Sequence, residues 1–255
     1  MSEEAGSLTG ERRFKLTLHY DGAGFFGWQV QPGVRTVQAE LEAALSRLRN
    51  SPTTVIAAGR TDRGVHATGQ VVSATMPAKW SAAELHRALN AILPEDIWIS
   101  SVEEAPADFH ARYDATSRSY IYRIGTVPGA ASPFARRHCW ALGVDLSLEA
   151  LNGAARRFLG RHSFRAFAKA GQPERGETCT VTAAEWRPAP GGVEFHVTAD
   201  RFLHHMVRYM VGTMVDVARG RRPASDIDEL LRGTSALETS PPAPPEGLFL
   251  SHVSY

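Results

Sequence analysis

Only two cysteines, Cys139 and Cys179, occur in the 255 residues, and they share no paired spacing. That argues against a disulfide framework or a zinc ribbon and fits a reducing compartment. No uninterrupted apolar run approaches the roughly 20 residues of a membrane helix, and Met1 to Gly10 is acidic and small rather than basic and then apolar. The expectation is a soluble cytoplasmic protein with no export signal and no membrane partner. Lysine is equally scarce: Lys15, Lys79 and Lys169 are the only three among 28 basic residues, leaving 25 arginines. The planar guanidinium suits phosphates and base stacking, although an arginine bias also follows from genome composition.

The net charge of +1 implies no polyanion partner by its sum. Its distribution says more. Arg112 to Arg222 carries 17 basic against 9 acidic residues, whereas residues 1–104 carry 10 basic and 12 acidic. The second half is therefore the anion-binding candidate.

Hydrophobic periodicity divides the chain into two α+β halves near Ala105 to Ala111. Phe14 to Tyr20 alternates like a half-buried strand and ends in the turn pair Asp21-Gly22. Thr36 to Leu48 has helical spacing with Thr36 as cap. Short β-branched runs, Thr53 to Ala57 and Gln70 to Ala74, flank a loop at Gly59 to Ala67. A helix from Ser81 is closed by Pro94, and Ile97 to Val102 is a further strand. This order is the split βαβ, or ferredoxin-like, unit. The second half repeats it: a strand at Ser119 to Val127, a helix at Leu148 to Leu159, strands at Cys179 to Trp186 and Gly192 to Thr198, and an amphipathic helix at Leu203 to Ala218. A last strand at Gly247 to Val253 follows the helix-excluding Pro241 to Pro245 run. The connections at Gly125 to Leu146 and Ala170 to Thr178 carry no assignment. The expected division is 1–11 as a flexible N-terminus, 12–106 as the half with the loop, and 107–255 as the half with a basic, anion-binding surface.

The loop Gly59-Arg60-Thr61-Asp62-Arg63-Gly64-Val65-His66-Ala67 sets one carboxylate beside an arginine on a glycine-bounded turn between strands. An ionised Asp62 can be a nucleophile or general base if Arg60 keeps it charged; the alternative is a surface ion pair worth ~0–1 kcal/mol. His66 reads more readily as a hydrogen-bonded structural residue than as a proton carrier. Ordinary glycoside hydrolysis calls for a second carboxylate, which the local motif lacks. His204 and His205, adjacent on a helix, would point about 100° apart and offer no two-ligand metal face. Phe109 to Arg123 interleaves aromatics with arginines, a pattern suited to stacking on bases while holding phosphates. Tyr120 and Tyr122 should share a strand face, with a core role open for Tyr122. On the long helix His204, Arg208 and Gly212 mark a polar stripe, and Arg208 could reach a carboxylate or a phosphate.

Five ordered segments, Tyr20-Asp21-Gly22 with Phe26-Gly27-Trp28-Gln29, Gly59 to Ala67, Phe109-His110-Ala111-Arg112, Phe202 to Arg208 and Gly247-Leu248-Phe249-Leu250, together resemble the tRNA pseudouridine synthase A family over nearly the whole chain. The resemblance implies two ferredoxin-like, RRM-like halves in a continuous mixed or antiparallel sheet, with helices on one side and the active site in the cleft between halves. It further implies a cofactor-free isomerase, using no metal, that acts on tRNA uridines of the anticodon stem-loop, at tRNA positions 38, 39 and/or 40, as a homodimer. By motif match Asp62 is the catalytic carboxylate, Tyr120 packs on the uracil, and Arg60 pairs with Asp62 and fills the space of the flipped base. Leu248 matches an apolar wall of the site, and Arg208 is a further substrate-binding match. Whether Asp62 attacks ribose, adds to uracil or removes a ribose proton stays open. Ser163 and Cys179 stand where the family commonly has Asp and Arg, with Lys169 and Arg165 as possible replacements for a phosphate contact.

Two rivals belong to other classes. A non-catalytic RNA-binding module on paired RRM-like folds would carry an Arg/Lys-Gly-Phe-Gly-Phe type stacking string, which is missing, and would not need Asp62. A nucleoside hydrolase would release free uracil.

Overall fold

Strict alternation of burial along Phe14, Leu16, Leu18 and Tyr20 makes the first strand one-sided, and that side becomes the core of the first unit. The computed structural model describes residues 10–169, 176–233 and 236–255. The flexible stretch expected over 1–11 falls outside them except for Gly10 and Glu11, and most of the Ala170 to Thr178 connection does too. The chain divides into two compact units: residues up to Arg63 with Ala67–Ala115 and Tyr255, and Gly64–His66 with Thr116–Ser254.

The first unit runs β1 (Glu11–Tyr20), α1 (Val37–Arg49), β2 (Ile56–Ala57), β3 (His66–Pro77), α2 (Ala82–Ile92) and β4 (Ile97–Ala105). β1 lies between β4 and β3, and β2 pairs with β3, all antiparallel, which is the ferredoxin-like strand order. Both helices start where the sequence predicts. The Thr36 hydroxyl accepts from the Ala39 amide, and Ser81 forms a reciprocal capping box with Glu84. Val37, Leu41 and Leu45 of α1 and Leu85 and Leu89 of α2 are fully buried. Asn90 fastens α2 to β4 by bonding both backbone groups of Ile99, at 2.8 and 2.9 Å. On the other side of β1, the Arg13 guanidinium donates to Phe109 O, Thr75 Oγ1 and Ser73 Oγ at 2.8–3.1 Å. This bond to Phe109 helps hold the 107–115 segment within the first unit.

The second unit contains β5 (Ser117–Gly125), β6 (Trp140–Ala141), α3 (Leu148–Ala155), β7 (Gly160–Ser163), β8 (Thr178–Ala189), β9 (Gly192–Ala199), α4 (Met206–Ala218), α5 (Ser225–Arg232) and β10 (Leu248–Ser254). Its antiparallel order is β10-β5-β9-β8-β7, with β6 parallel beside β5. The four main strands repeat the first unit's topology. Asn152 of α3 bonds both backbone groups of Trp186 on β8 at 2.9 and 3.0 Å, the same device as Asn90 but on the unit's first helix. Trp186 stacks on Phe195 at 5.1 Å and donates its indole N–H to Met214 Sδ.

The structure corrects the second half in several places. α4 begins at Met206, not Leu203, because His205 sits in the left-handed region at φ 65° and Leu203 to His205 form the turn before it. The histidines are thus off the helix, and Gly212 is no part of a polar stripe. It is buried, and a Cβ there would meet Pro241 O at 2.1 Å. β6, β7 and α5 are additions to the predicted elements; each is two to eight residues, too short for periodicity to show. Cys179, where the family commonly has an arginine, faces the core, and burial pushes its thiol up to about 12.

Gly212→Ala is expected to cost roughly 1–3 kcal/mol through overpacking against the Pro241 carbonyl. Gly153→Ala, in α3 with nothing within 4 Å of an added Cβ, is expected to stabilise by up to about 1 kcal/mol. Urea unfolding checks both signs.

Candidate active site

Six contacts, made by backbone and side chains, fix the Asp62 loop within the first unit. Gly27 has φ +93°, and a Cβ built on it would lie 2.8 Å from Thr61 O and 3.2 Å from both Asp62 C and Arg63 N. Only a glycine permits both that conformation and that approach. The Trp28 amide donates to Thr61 O at 3.0 Å. Tyr20, at the end of β1, shares a 2.7 Å hydrogen bond between its hydroxyl and Thr61 Oγ1. The Arg63 guanidinium lies 4.3 Å over the Phe26 ring. On the strand side, Gln70 Nε2 donates to Gly59 O at 2.7 Å and the Ala58 amide to Val71 O at 2.8 Å.

The clamping segment is itself braced. Phe26 and Gly27 are tied back by Phe26 N to Arg35 O and Val37 N to Gly27 O, so α1 grows directly out of the clamp. Arg35 donates two hydrogen bonds to Asp96 at 2.6 and 2.9 Å and one to Glu40 at 2.6 Å, and lies over the Phe25 ring. The Asp96 hydrogen bond is the main cause that raises the Arg35 pKa. Bidentate pairing of this kind gives directional as well as electrostatic hold.

Thr61 points inward and is buried, Asp62 is half-buried, and Arg60 is exposed. Among the described residues no ion pair joins Arg60 to Asp62, contrary to the sequence expectation. Two positions of separation on an irregular loop do not set the side-chain directions; the backbone clamp does. His66 is buried and stacked on Phe249 at 4.7 Å.

Within the second unit, Tyr120 of β5 lies between Leu250 of β10 and Val197 of β9 and meets Phe202 edge-on at 4.9 Å. Tyr122 shares its face, as the period of two requires. It is fully buried and donates its hydroxyl to Pro244 O at 2.7 Å, while burial raises its pKa well above the ordinary phenol value. Leu248 is buried opposite Tyr122. Arg208 Nε donates to Ala243 O at 2.7 Å and the Ala243 amide returns a bond to Arg208 O at 2.9 Å. That clamp, with Gly212 against Pro241, seats the proline run on α4 just ahead of Leu248. Two arginines of the aromatic-arginine stretch also have internal partners: Arg118 bonds Asp200 O, and Arg123 pairs with Glu194. Phe202 as a neighbour of Tyr120, and Gly27 and Thr61 as supports of Asp62, were not among the sequence candidates. The Phe26-Gly27-Trp28 string was the available signal.

The family described as tRNA pseudouridine synthase matches residues 17–114 and 154–255, and the chain belongs to that family. Similar proteins named tRNA pseudouridine synthase A include one from Moorella thermoacetica, 43% identical over 245 residues, spanning 94% of this chain and 98% of that protein. Another, from Geobacillus kaustophilus, is 39% identical over 245 residues, spanning 96% and 95%. One from Myxococcus xanthus is 38% identical over 244 residues, spanning 95% and 92%. No helix among the described residues is long and apolar enough to cross a membrane.

Thr61→Val, which keeps the shape but removes the hydroxyl bonded to Tyr20, is expected to cost about 1 kcal/mol. Urea unfolding of the purified variant measures it, and an unchanged midpoint would show that this clamp point contributes nothing.

Proposed function

We propose that this protein converts uridine to pseudouridine in the anticodon stem-loop of tRNA, with Asp62 as the essential carboxylate. The observation that carries the reading is the braced loop: four contacts hold Thr61 and Arg63, the residues on either side of one half-buried acid, and one of them also packs against the Asp62 backbone carbon, in a chain that belongs to the tRNA pseudouridine synthase family. Preorganisation of this kind is what a reactive group requires, since a misplacement of ~1 Å can cost on the order of a hundredfold in rate.

The chemistry balances without any external reactant. The bond from uracil N1 to ribose C1′ breaks, a bond from uracil C5 to the same carbon forms, the C5 proton leaves to solvent, and N1 regains one. A uridine in a stem must first leave its stack, at a cost of a few kcal/mol. Arg60, exposed and without an ion pair to Asp62, is suited to fill the vacated place. Tyr120 packs on the extruded uracil, and Leu248 supplies an apolar wall that keeps water from the detached base. Arg208, whose Nε is committed to Ala243 O, positions the segment before Leu248 and brings its charge to the binding of the substrate. The protein acts in the cytoplasm as a homodimer on tRNA, and the chemistry calls on no cofactor.

Unmodified tRNA tritiated at uracil C5 tests the reading. Tritium release without free uracil is the expected result. Free uracil would mark a hydrolase, and no release a binding module. Asp62→Asn is expected to abolish release while tRNA binding persists, and Tyr120→Phe to bind with impaired turnover. Normal turnover by Asp62→Asn would overturn the assignment.

A further inference from the structure

Phe134 is 91% exposed, far beyond Tyr113 at 54%, the next most exposed large hydrophobic side chain among the described residues. Almost wholly in water, the ring contributes next to no apolar burial to the fold.

The turn is built, not loose. The Ala135 and Arg136 amides donate to Ser132 O at 3.0 and 2.8 Å, and the His138 amide to Ala135 O at 2.9 Å. Cys139 Sγ donates to the same Ala135 carbonyl. Its entry is seated on Gly125, where a Cβ would come within 2.2 Å of Ala130 Cβ. Its exit runs into β6 beside β5, with the His138 ring 5.0 Å from that of His66. The aromatic ring is therefore presented from a fixed base.

Its neighbours are cationic. Arg136 and Arg137 are exposed, and among the described residues neither forms an ion pair. No Asp or Glu occurs anywhere between Asp114 and Asp145, a stretch that holds Arg118, Arg123, Arg136 and Arg137. The first two are engaged inside the unit, so the two on the turn are the ones left to meet an anion. A lone exposed aromatic followed on the same turn by two exposed arginines fits a nucleotide better than an apolar protein surface. The ring offers a π-face to a base, and the arginines match the phosphates on either side. The family match leaves residues 115–153 uncovered, so no role for this turn is carried over from it.

We propose that the Ser132 to Arg137 turn is a second tRNA contact, in which Phe134 stacks on an unpaired base and Arg136 and Arg137 hold its flanking phosphates. It rests on tRNA being the substrate and deepens that reading by assigning a binding element distinct from Asp62, Tyr120 and Leu248.

Filter binding of unmodified tRNA over a range of salt concentrations tests it, with wild-type protein assayed for pseudouridine formation in parallel. Phe134→Ala is expected to raise Kd by roughly fivefold to a hundredfold, and Phe134→Trp to keep Kd near the wild-type value. Arg136→Gln with Arg137→Gln is expected to flatten the salt dependence by ~0.7–0.9 per arginine. Because these side chains are exposed, the thermal midpoint should not move. A wild-type Kd in Phe134→Ala overturns the proposal. So does a Phe134→Ala protein that keeps its tRNA affinity but loses self-association in sedimentation, which would give the ring to a second copy of the chain. If the wild type binds tRNA through Phe134 yet forms no pseudouridine, the reading of the reaction fails while this contact stands.

Discussion

The geometry of the site depends on the absence of one side chain. Gly27, at φ +93°, brings its backbone against Thr61 O, Asp62 C and Arg63 N more closely than any Cβ would allow. Around that approach the Trp28 amide and the Tyr20 hydroxyl take the carbonyl and the side chain of Thr61, and the Phe26 ring carries Arg63. Three consecutive loop residues are thereby held by Tyr20 and the Phe26-Gly27-Trp28 string, and Asp62 is the middle one. The carboxylate need not be paired with Arg60 to be directed; its backbone is already fixed.

The same logic recurs in the second unit. The Pro241 to Pro245 run cannot form its own regular hydrogen bonds, so its carbonyls need outside donors. Arg208 Nε satisfies Ala243 and the Tyr122 hydroxyl satisfies Pro244, while Gly212 leaves room for Pro241 O. Leu248 follows directly, on the strand beside Tyr120 and Tyr122. In both units a βαββαβ frame supplies rigid strands, and glycines at close approaches let irregular segments lie against them. Each unit also uses one helix asparagine, Asn90 or Asn152, to satisfy both backbone groups of a strand residue.

Much of this was legible in the sequence. Periods of two and 3.6 place the main strands and helices, since each element has one dry face, and Thr36, Ser81 and Pro94 bound their helices by capping and ring chemistry. The glycine-bounded Asp62 loop stands out for the same local reason. What was not legible is long-range or conformational. The start of α4 is shifted by the left-handed turn at His205, which no apolar pattern reveals. The ion pair expected between Arg60 and Asp62 does not form, because nearness in sequence on an irregular loop gives no direction. Gly27 and Thr61 meet across more than thirty residues of chain, through backbone atoms that carry no compositional mark. Phe134 reads in the sequence as one more apolar residue, and only its exposure singles it out.

The central claim is that the Gly27 approach holds Asp62 in a productive position. The most direct measurement is single-turnover pseudouridine formation by folded Gly27→Ala protein, alongside its Kd for tRNA. A rate reduced by on the order of a hundredfold, with Kd close to wild type, is the result this account requires; an unreduced rate would contradict it.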